Sequence, residues 1–316
     1  MTPQVVAAFS RELSKLAAGK VLHRQLDDGA ANALLGAGAV SLAGAVGSYG
    51  GERLTGVAGN LHQRAIDAAA ERDWIPVRDA QTAAAMRGES MSNAANSLPN
   101  NVRRPSLEGL SMSPAERDVL RAELAAAGKG DLRILTNRAQ LPQELQHAGS
   151  HHFRGISGAD PHIFIDTASK HNAATLAHEV GHATGWQGLA HIDKSRLSSF
   201  GLKMTPRLAA AGTLGSLIGN PDDATRDKNL KITRNLALAS GALHLPQLVE
   251  EARANIRAVN MGRKVGRGLE YAKQMLPAYG TYVAKPVAVT GATALGVEGL
   301  RRYLKSRGTK TQREKQ

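Results

Sequence analysis

Leu176-Ala177-His178-Glu179-Val180-Gly181-His182-Ala183 is the stretch on which the reading of this chain turns. Its apolar positions Leu176, Val180 and Ala183 recur at helical spacing. Polar residues Ser169 and Asn172 suit a helix start, and Gly185 suits its stop, which predicts a helix over 169–185. Residues four apart share a helix face, so His178 and His182 stand one turn apart with Glu179 beside them. The buried stripe is expected to lie away from both histidines, leaving the imidazoles available for chemistry.

Two imidazoles at this spacing, with a carboxylate directly after the first, form the HExxH pattern of zinc hydrolases. A catalytic zinc takes three protein ligands and keeps a fourth position for water, so a third ligand is required. The longer HExxHxxGxxH arrangement fails here, because Gly188 stands where its last histidine belongs and His191 comes three residues later. A better source is 248–258, which reads as a second helix carrying the adjacent carboxylates Glu250 and Glu251, with Pro246 suited to its first turn. Spacing alone leaves those two open.

The pairing of HExxH with Glu251-Ala252-Arg253-Ala254-Asn255-Ile256-Arg257-Ala258, an ExxA(D/N)xxA pattern, resembles the gluzincin metallopeptidases. The group containing the membrane-associated heat-shock and prenyl-protein endopeptidases is the most similar. The resemblance covers about 131–258 and implies Glu251 as the third zinc ligand, beside His178 and His182, with one Zn2+ per chain. It further implies Glu179 as the general base that activates water for peptide-bond hydrolysis. Asn255 stands where the family has an Asp that supports a histidine ligand. Gluzincins also use a Tyr or His to stabilise the oxyanion; His244, Tyr271, His191 and Arg253 are all candidates here, and spacing separates none of them.

Leu132–Thr136 and His162–Asp166 read as short strands from their alternation and β-branched content. Either they form a plain hairpin supporting the helix, or a free sheet edge accepts an extended substrate, as is common in zincins. Aromatic content is only 3%, while Ala and Gly are abundant, so closely packed helices are expected rather than a large β core. The expected fold is mainly α with a small β-sheet (α+β), a zincin-like core flanked by Gly/Ala-rich helical segments. Four segments follow: 1–86, a helical Gly/Ala-rich region; 87–114, a linker rich in Ser, Asn and Pro; 115–261, the catalytic region; and 262–316, a helical region with a basic tail. Ser113-Pro114-Ala115-Glu116 predicts a capped helix start.

The uncharged run from Gly29 to Gly51 is long enough to cross a bilayer, but Ala39, Ala43 and Gly47 at spacing four favour close helix packing. The same length argument makes 208–219 and 236–243 a buried helical hairpin about the turn Asn220-Pro221-Asp222-Asp223. Residues 1–19 read as an amphipathic helix without the features of a signal peptide. Within them, 8–17 resembles N-termini found among tailed-phage virion proteins, which implies a virion association.

The chain has no cysteine, which excludes disulfide and thiol chemistry. A formal charge of +13 favours anionic partners, meaning a lipid surface or nucleic acid held nonspecifically by the run Arg301, Arg302, Lys305, Arg307, Lys310, Arg313 and Lys315. No nucleic-acid-reading motif accompanies that run. The expected activity is therefore a zinc-dependent endopeptidase acting on protein or peptide substrates. The alternative is a non-enzymatic helical structural or membrane-interacting protein, in which the motif is vestigial or binds metal structurally.

Overall fold

A computed structural model describes residues 28–87, 98–100, 102–105, 111–141, 143, 146, 151–153, 161–165, 173–185, 194–218 and 222–313. The amphipathic N-terminal segment, the resemblance at 8–17 and His191 lie outside these residues. The fold is mainly helical with little β-structure. Seven helices are described: α1 Asp28–Met86, α2 Pro114–Ala126, α3 Ala173–Ala183, α4 Lys194–Leu217, α5 Asp223–Gly241, α6 Leu245–Lys264 and α7 Gly268–Arg313. Strands β1 Arg104–Pro105 and β2 Ser111–Met112 pair antiparallel. A separate three-stranded sheet contains β3 Arg133–Leu135, β4 His151–Phe153 and β5 His162–Phe164.

The chain folds as two compact units, each assembled from pieces far apart in sequence. One comprises 1–56, 190–247 and 282–316; the other comprises 57–189 and 248–281. Helices α1 and α7 each supply residues to both. The segment expected as one catalytic region therefore contributes 190–247 to the first unit.

In the second unit, α2 begins as its sequence predicts. The Ser113 Oγ accepts from the Glu116 N–H at 3.2 Å, while Glu116 Oε2 accepts from the Ser113 N–H at 2.9 Å, with Pro114 in the first turn. The helix stops at Gly128, whose φ of 68° suits a residue without Cβ. There the Lys129 N–H reaches Leu124 O at 2.8 Å and the Gly128 N–H reaches Ala125 O at 2.9 Å, a Schellman closure. The same closure ends α6 at Gly266, φ 74°, where the Arg267 N–H reaches Gly262 O at 2.7 Å.

The expected strands form, but not as a hairpin. β3 lies parallel to β5, with Ile134 opposite Ile163, and β4 lies antiparallel on the other side of β5 in the order β3-β5-β4. A parallel pair needs a crossover, and the chain between β3 and β5 makes one that includes the third strand. Helix α3 packs against β4 and β5. It is buried nearly all round rather than on one stripe, because Leu120 and Leu124 of α2, Ile163 and Ile165 of the sheet, Ala258 and Met261 of α6, and Met275 of α7 share its core. On the opposite face of the sheet, Phe164 joins Leu135 and Leu141.

The first unit is held by small residues. Ala33, Ala37, Val40, Gly44, Gly47 and Gly51 alternate at spacings of four and three along the buried face of α1. A Cβ on Gly47 would stand 2.5 Å from Ala288 O, and one on Gly51 would stand 2.7 Å from the Lys285 Cα, so α1 and α7 meet backbone to backbone there. Of the expected trio, Gly47 makes that approach and Ala43 touches Gly296, but Ala39 faces outward. Helix α1 is the one described helix long and apolar enough to cross a membrane, over Ala33–Ala83. Helices α4 and α5 pair as expected, with Gly212 against Thr233 and the Thr205 hydroxyl 2.8 Å from that of Ser240, but the pair is not buried: Leu208, Leu236 and Leu238 are exposed. Asp222 caps α5 by accepting from the N–H groups of Ala224 and Thr225. The basic run does not begin as a loose arm: α7 continues through Arg313, and Arg301 and Arg302 both pair with Glu298 at 2.8 Å.

Candidate metal centre

Helix α3 is short and surrounded, so the direction of every side chain on it is dictated by packing. Its imidazoles point toward α6, one turn apart. The rings of His178 and His182 meet edge to face, with centroids 4.6 Å apart and an interplanar angle of 87°. This brings His178 Nε2 within 3.1 Å of His182 Nε2. Helix α6 adds Glu251 Oε2, at 3.3 Å from His178 Nε2 and 3.5 Å from His182 Nε2. The three side chains are 11–13% exposed.

Three electron-pair donors therefore converge on one point. Ligands bound about 2.0–2.1 Å from a tetrahedral ion lie about 3.3–3.4 Å from one another, and the three measured edges bracket that value. Among the described residues, His178, His182 and Glu251 are the group of His and carboxylate side chains able to hold a metal ion. Glu251 Oε2 is buried without a hydrogen-bond donor, an arrangement that a cation would complete. Burial alone would raise the Glu251 pKa, but the two imidazoles outweigh it and hold the carboxyl at about 2, charged throughout the neutral range. Two histidines and a carboxylate are a donor set suited to Zn2+.

Of the two adjacent carboxylates, Glu251 takes the central place. Glu250 Oε1 instead lies 3.6 Å from His182 Nδ1, the ring atom turned away from the convergence point. A carboxylate beside the remote nitrogen of a histidine helps set its tautomer and ring orientation. The expected support from Asn255 is not formed. Both polar atoms of its buried amide, and His178 Nδ1, are without hydrogen-bond partners. Glu179 is buried on the same helix, next to both histidines.

What brings α6 to α3 is the residue between the two histidine turns. A Cβ on Gly181 would stand 2.7 Å from Ala254 O and 3.0 Å from the Ala254 Cα. This close approach places Glu251, one turn before Ala254, opposite His178 and His182. The C-terminal carbonyls of α3 are tied down by cations: Lys129 Nζ donates to Ala183 O at 2.5 Å and Arg257 Nη1 to Gly181 O at 3.2 Å. Glu250 was read as an alternative ligand, while Gly181, Lys129 and Arg257 were not singled out by the motif. Only Gly181 carried a local signal, as a glycine inside an otherwise helical run.

Three of the four oxyanion candidates can be placed, and they separate in the structure. Tyr271 is fully buried, and its hydroxyl donates to Glu116 Oε1 at 2.9 Å. Its ring lies flat against Gly262, so it is a core residue. His244 belongs to the other unit and is buried with its Nδ1 2.6 Å from the Ser198 hydroxyl. Arg253 is exposed on α6. His191 is outside the described residues.

Gly181→Ala is a sharp test of this packing. At an open helical position, Gly→Ala gains about 0.5–1 kcal/mol from helix propensity. At Gly181 the new methyl meets backbone, and overpacking of that kind costs about 1–3 kcal/mol, which exceeds the gain. Gly181→Ala is expected to lower the urea midpoint and weaken metal affinity at least tenfold. Gly291→Ala, on α7 with open space around its Cβ, is expected to leave affinity unchanged and raise the midpoint. Equal behaviour of the two variants would refute the close approach as the positioning element.

No family model, curated protein or solved structure matches the chain.

Proposed function

We propose that this protein is a zinc-dependent endopeptidase of gluzincin type. The observation that carries the reading is the triangle of His178 Nε2, His182 Nε2 and Glu251 Oε2, whose edges of 3.1–3.5 Å suit one face of a zinc tetrahedron. A three-membered donor set leaves a position open, which is the arrangement of catalytic rather than structural zinc. When bound, zinc would lower the pKa of water toward about 7 and polarise the scissile carbonyl.

The chain's own residues would do the rest. His178, His182 and Glu251 hold the ion, while Glu250 orients His182. Glu179 accepts a proton from water at its carboxylate and later returns it to the departing amine, so no net proton is consumed at the side chain. Among the described residues, strands β3 and β4 each have a single partner in the sheet, and β4 packs against α3. An extended peptide pairing along that free edge would be bound through its backbone, with little demand on its sequence.

Zinc content per chain and casein cleavage test the reading together. Wild type is expected to hold one zinc and cleave casein. His178→Ala and Glu251→Ala are expected to lose both. Glu250→Ala should retain zinc with about 10- to 100-fold weaker affinity, as for other residues that orient a ligand. Wild type that binds no zinc at saturating concentration would remove the enzyme reading in favour of a helical interaction protein. Equal metal loss in Glu250→Ala and Glu251→Ala would overturn their assigned roles.

A further inference from the structure

The first unit contains a cleft of about 670 Å³. Its size falls within the range of small-molecule sites. It lies between one face of α1, carrying Ser41, Ala45 and Ser48, and one face of α4, carrying Leu202, Lys203 and Arg207, with Lys285 and Val289 of α7 beside them. The hollow exists because the α1 residues are small. Ala45, Leu202, Pro206, Ala210 and Val289 give it apolar walls beside the hydroxyls of Ser41, Ser48 and Ser199, and helical backbones offer it no strand edge with which to hold a peptide.

Charge marks what enters. Lys203 and Arg207 are four apart on α4 and therefore neighbours on one face, where like charges repel. Both are exposed, and neither is in an ion pair among the described residues. Lys285, by contrast, is engaged by Glu52 at 2.9 Å. A cleft with apolar walls and a paired cationic rim complements a molecule that is anionic at one end and hydrocarbon at the other.

We propose that this cleft binds an anionic phospholipid, with the phosphate on Lys203 and Arg207 and the adjoining acyl carbons against Ala45, Leu202 and Val289. The site docks this unit on an anionic membrane surface. It is independent of the metal centre, which lies in the other unit.

Co-sedimentation of the full chain with vesicles tests the site, using zwitterionic phospholipid with and without an anionic phospholipid. Wild type is expected to bind only the anionic vesicles. Lys203→Glu/Arg207→Glu removes the phosphate contacts, and Ala45→Trp fills the hollow without altering charge. Each is expected to weaken binding at least about tenfold while the circular-dichroism spectrum and metal content stay as in wild type. Lys310→Gln/Arg313→Gln/Lys315→Gln should bind as wild type. Failure of wild type to bind anionic vesicles would overturn the proposal. So would full binding by Ala45→Trp, which would reduce the effect to surface charge, or loss of binding in the Lys310 triple variant, which would transfer it to the basic run. Competition by polyglutamate as effective as by anionic vesicles would replace the lipid with an acidic protein partner.

Discussion

Glu179→Gln is expected to abolish casein cleavage while leaving zinc content at one per chain. The substitution keeps the size and hydrogen-bonding capacity of the side chain but removes the carboxylate that would accept a proton. General acid-base catalysis contributes about 100- to 10,000-fold, so the rate should fall by that factor. The ion should remain, because Glu179 is not among the three converging donors on α3 and α6. A loss of rate without loss of metal separates a catalytic role from a ligand role. Loss of zinc together with activity would make Glu179 a ligand, and unchanged activity would end the proposal that it is the base.

The second large effect is expected at Arg103, in the ion cluster of the same unit. Its side chain is only 1% exposed. Nε meets Glu116 at 2.9 and 3.0 Å, Nη2 meets Glu116 Oε1 at 2.5 Å, and Nη1 reaches Asp73 at 2.8 Å and Glu270 at 2.6 Å. Arg267 joins Asp73 and Glu270 from the closure after α6, and Arg72 meets Glu270 at 2.5 Å. The cluster thus ties α1, α2 and α7 together through matched charges. Removing one cation leaves buried carboxylates uncompensated, which costs about 3–5 kcal/mol, a large part of the 5–15 kcal/mol typical of a folded domain. Arg103→Met is expected to lower the unfolding free energy by that amount in urea, and Arg103→Lys to recover little of it, because an ammonium cannot reproduce the forked contacts. A loss below about 1 kcal/mol would show that the cluster is not a principal support of the unit.

The cluster also sets an acid limit. Burial would raise the Glu116 pKa, but the Arg103 guanidinium and the Ser113 N–H more than offset it, and the carboxyl is held below its ordinary value. A carboxyl lowered in the folded state contributes stability above its unfolded pKa of about 4.3, and this is lost as pH falls through the folded value. Stability of wild type is expected to fall on acidification below about pH 4, and that of Arg103→Met to start lower and fall less steeply.

Some of this molecule was legible locally. His178, Glu179 and His182 belong to one turn of helix, and helical geometry alone makes the two imidazoles neighbours. The Ser113 to Glu116 start of α2 is equally local, since cap and partner are three residues apart. The mainly helical character followed from composition, and the α4–α5 hairpin from two short apolar runs about a turn.

Other features depended on pieces of chain that meet only after folding. Glu250 and Glu251 are consecutive, so no spacing rule could choose between them; the approach of Gly181 to Ala254 turns Glu251 to the histidines and Glu250 to the outer face of His182. The parallel order β3-β5-β4 arises because backbone pairing depends on the crossover path, which short apolar runs do not encode. Tyr271 read as a candidate oxyanion donor until Glu116, 155 residues away, took its hydroxyl. Arg103, within a segment of Ser, Asn and Pro, carried no periodic signal because its partners come from three separate helices. The sequence by itself determined which side chains could bind a metal ion, since donor chemistry and helical phase are properties of a few adjacent residues. Only the tertiary structure decided which of them stand together, since that depends on close packing between helices distant in the chain.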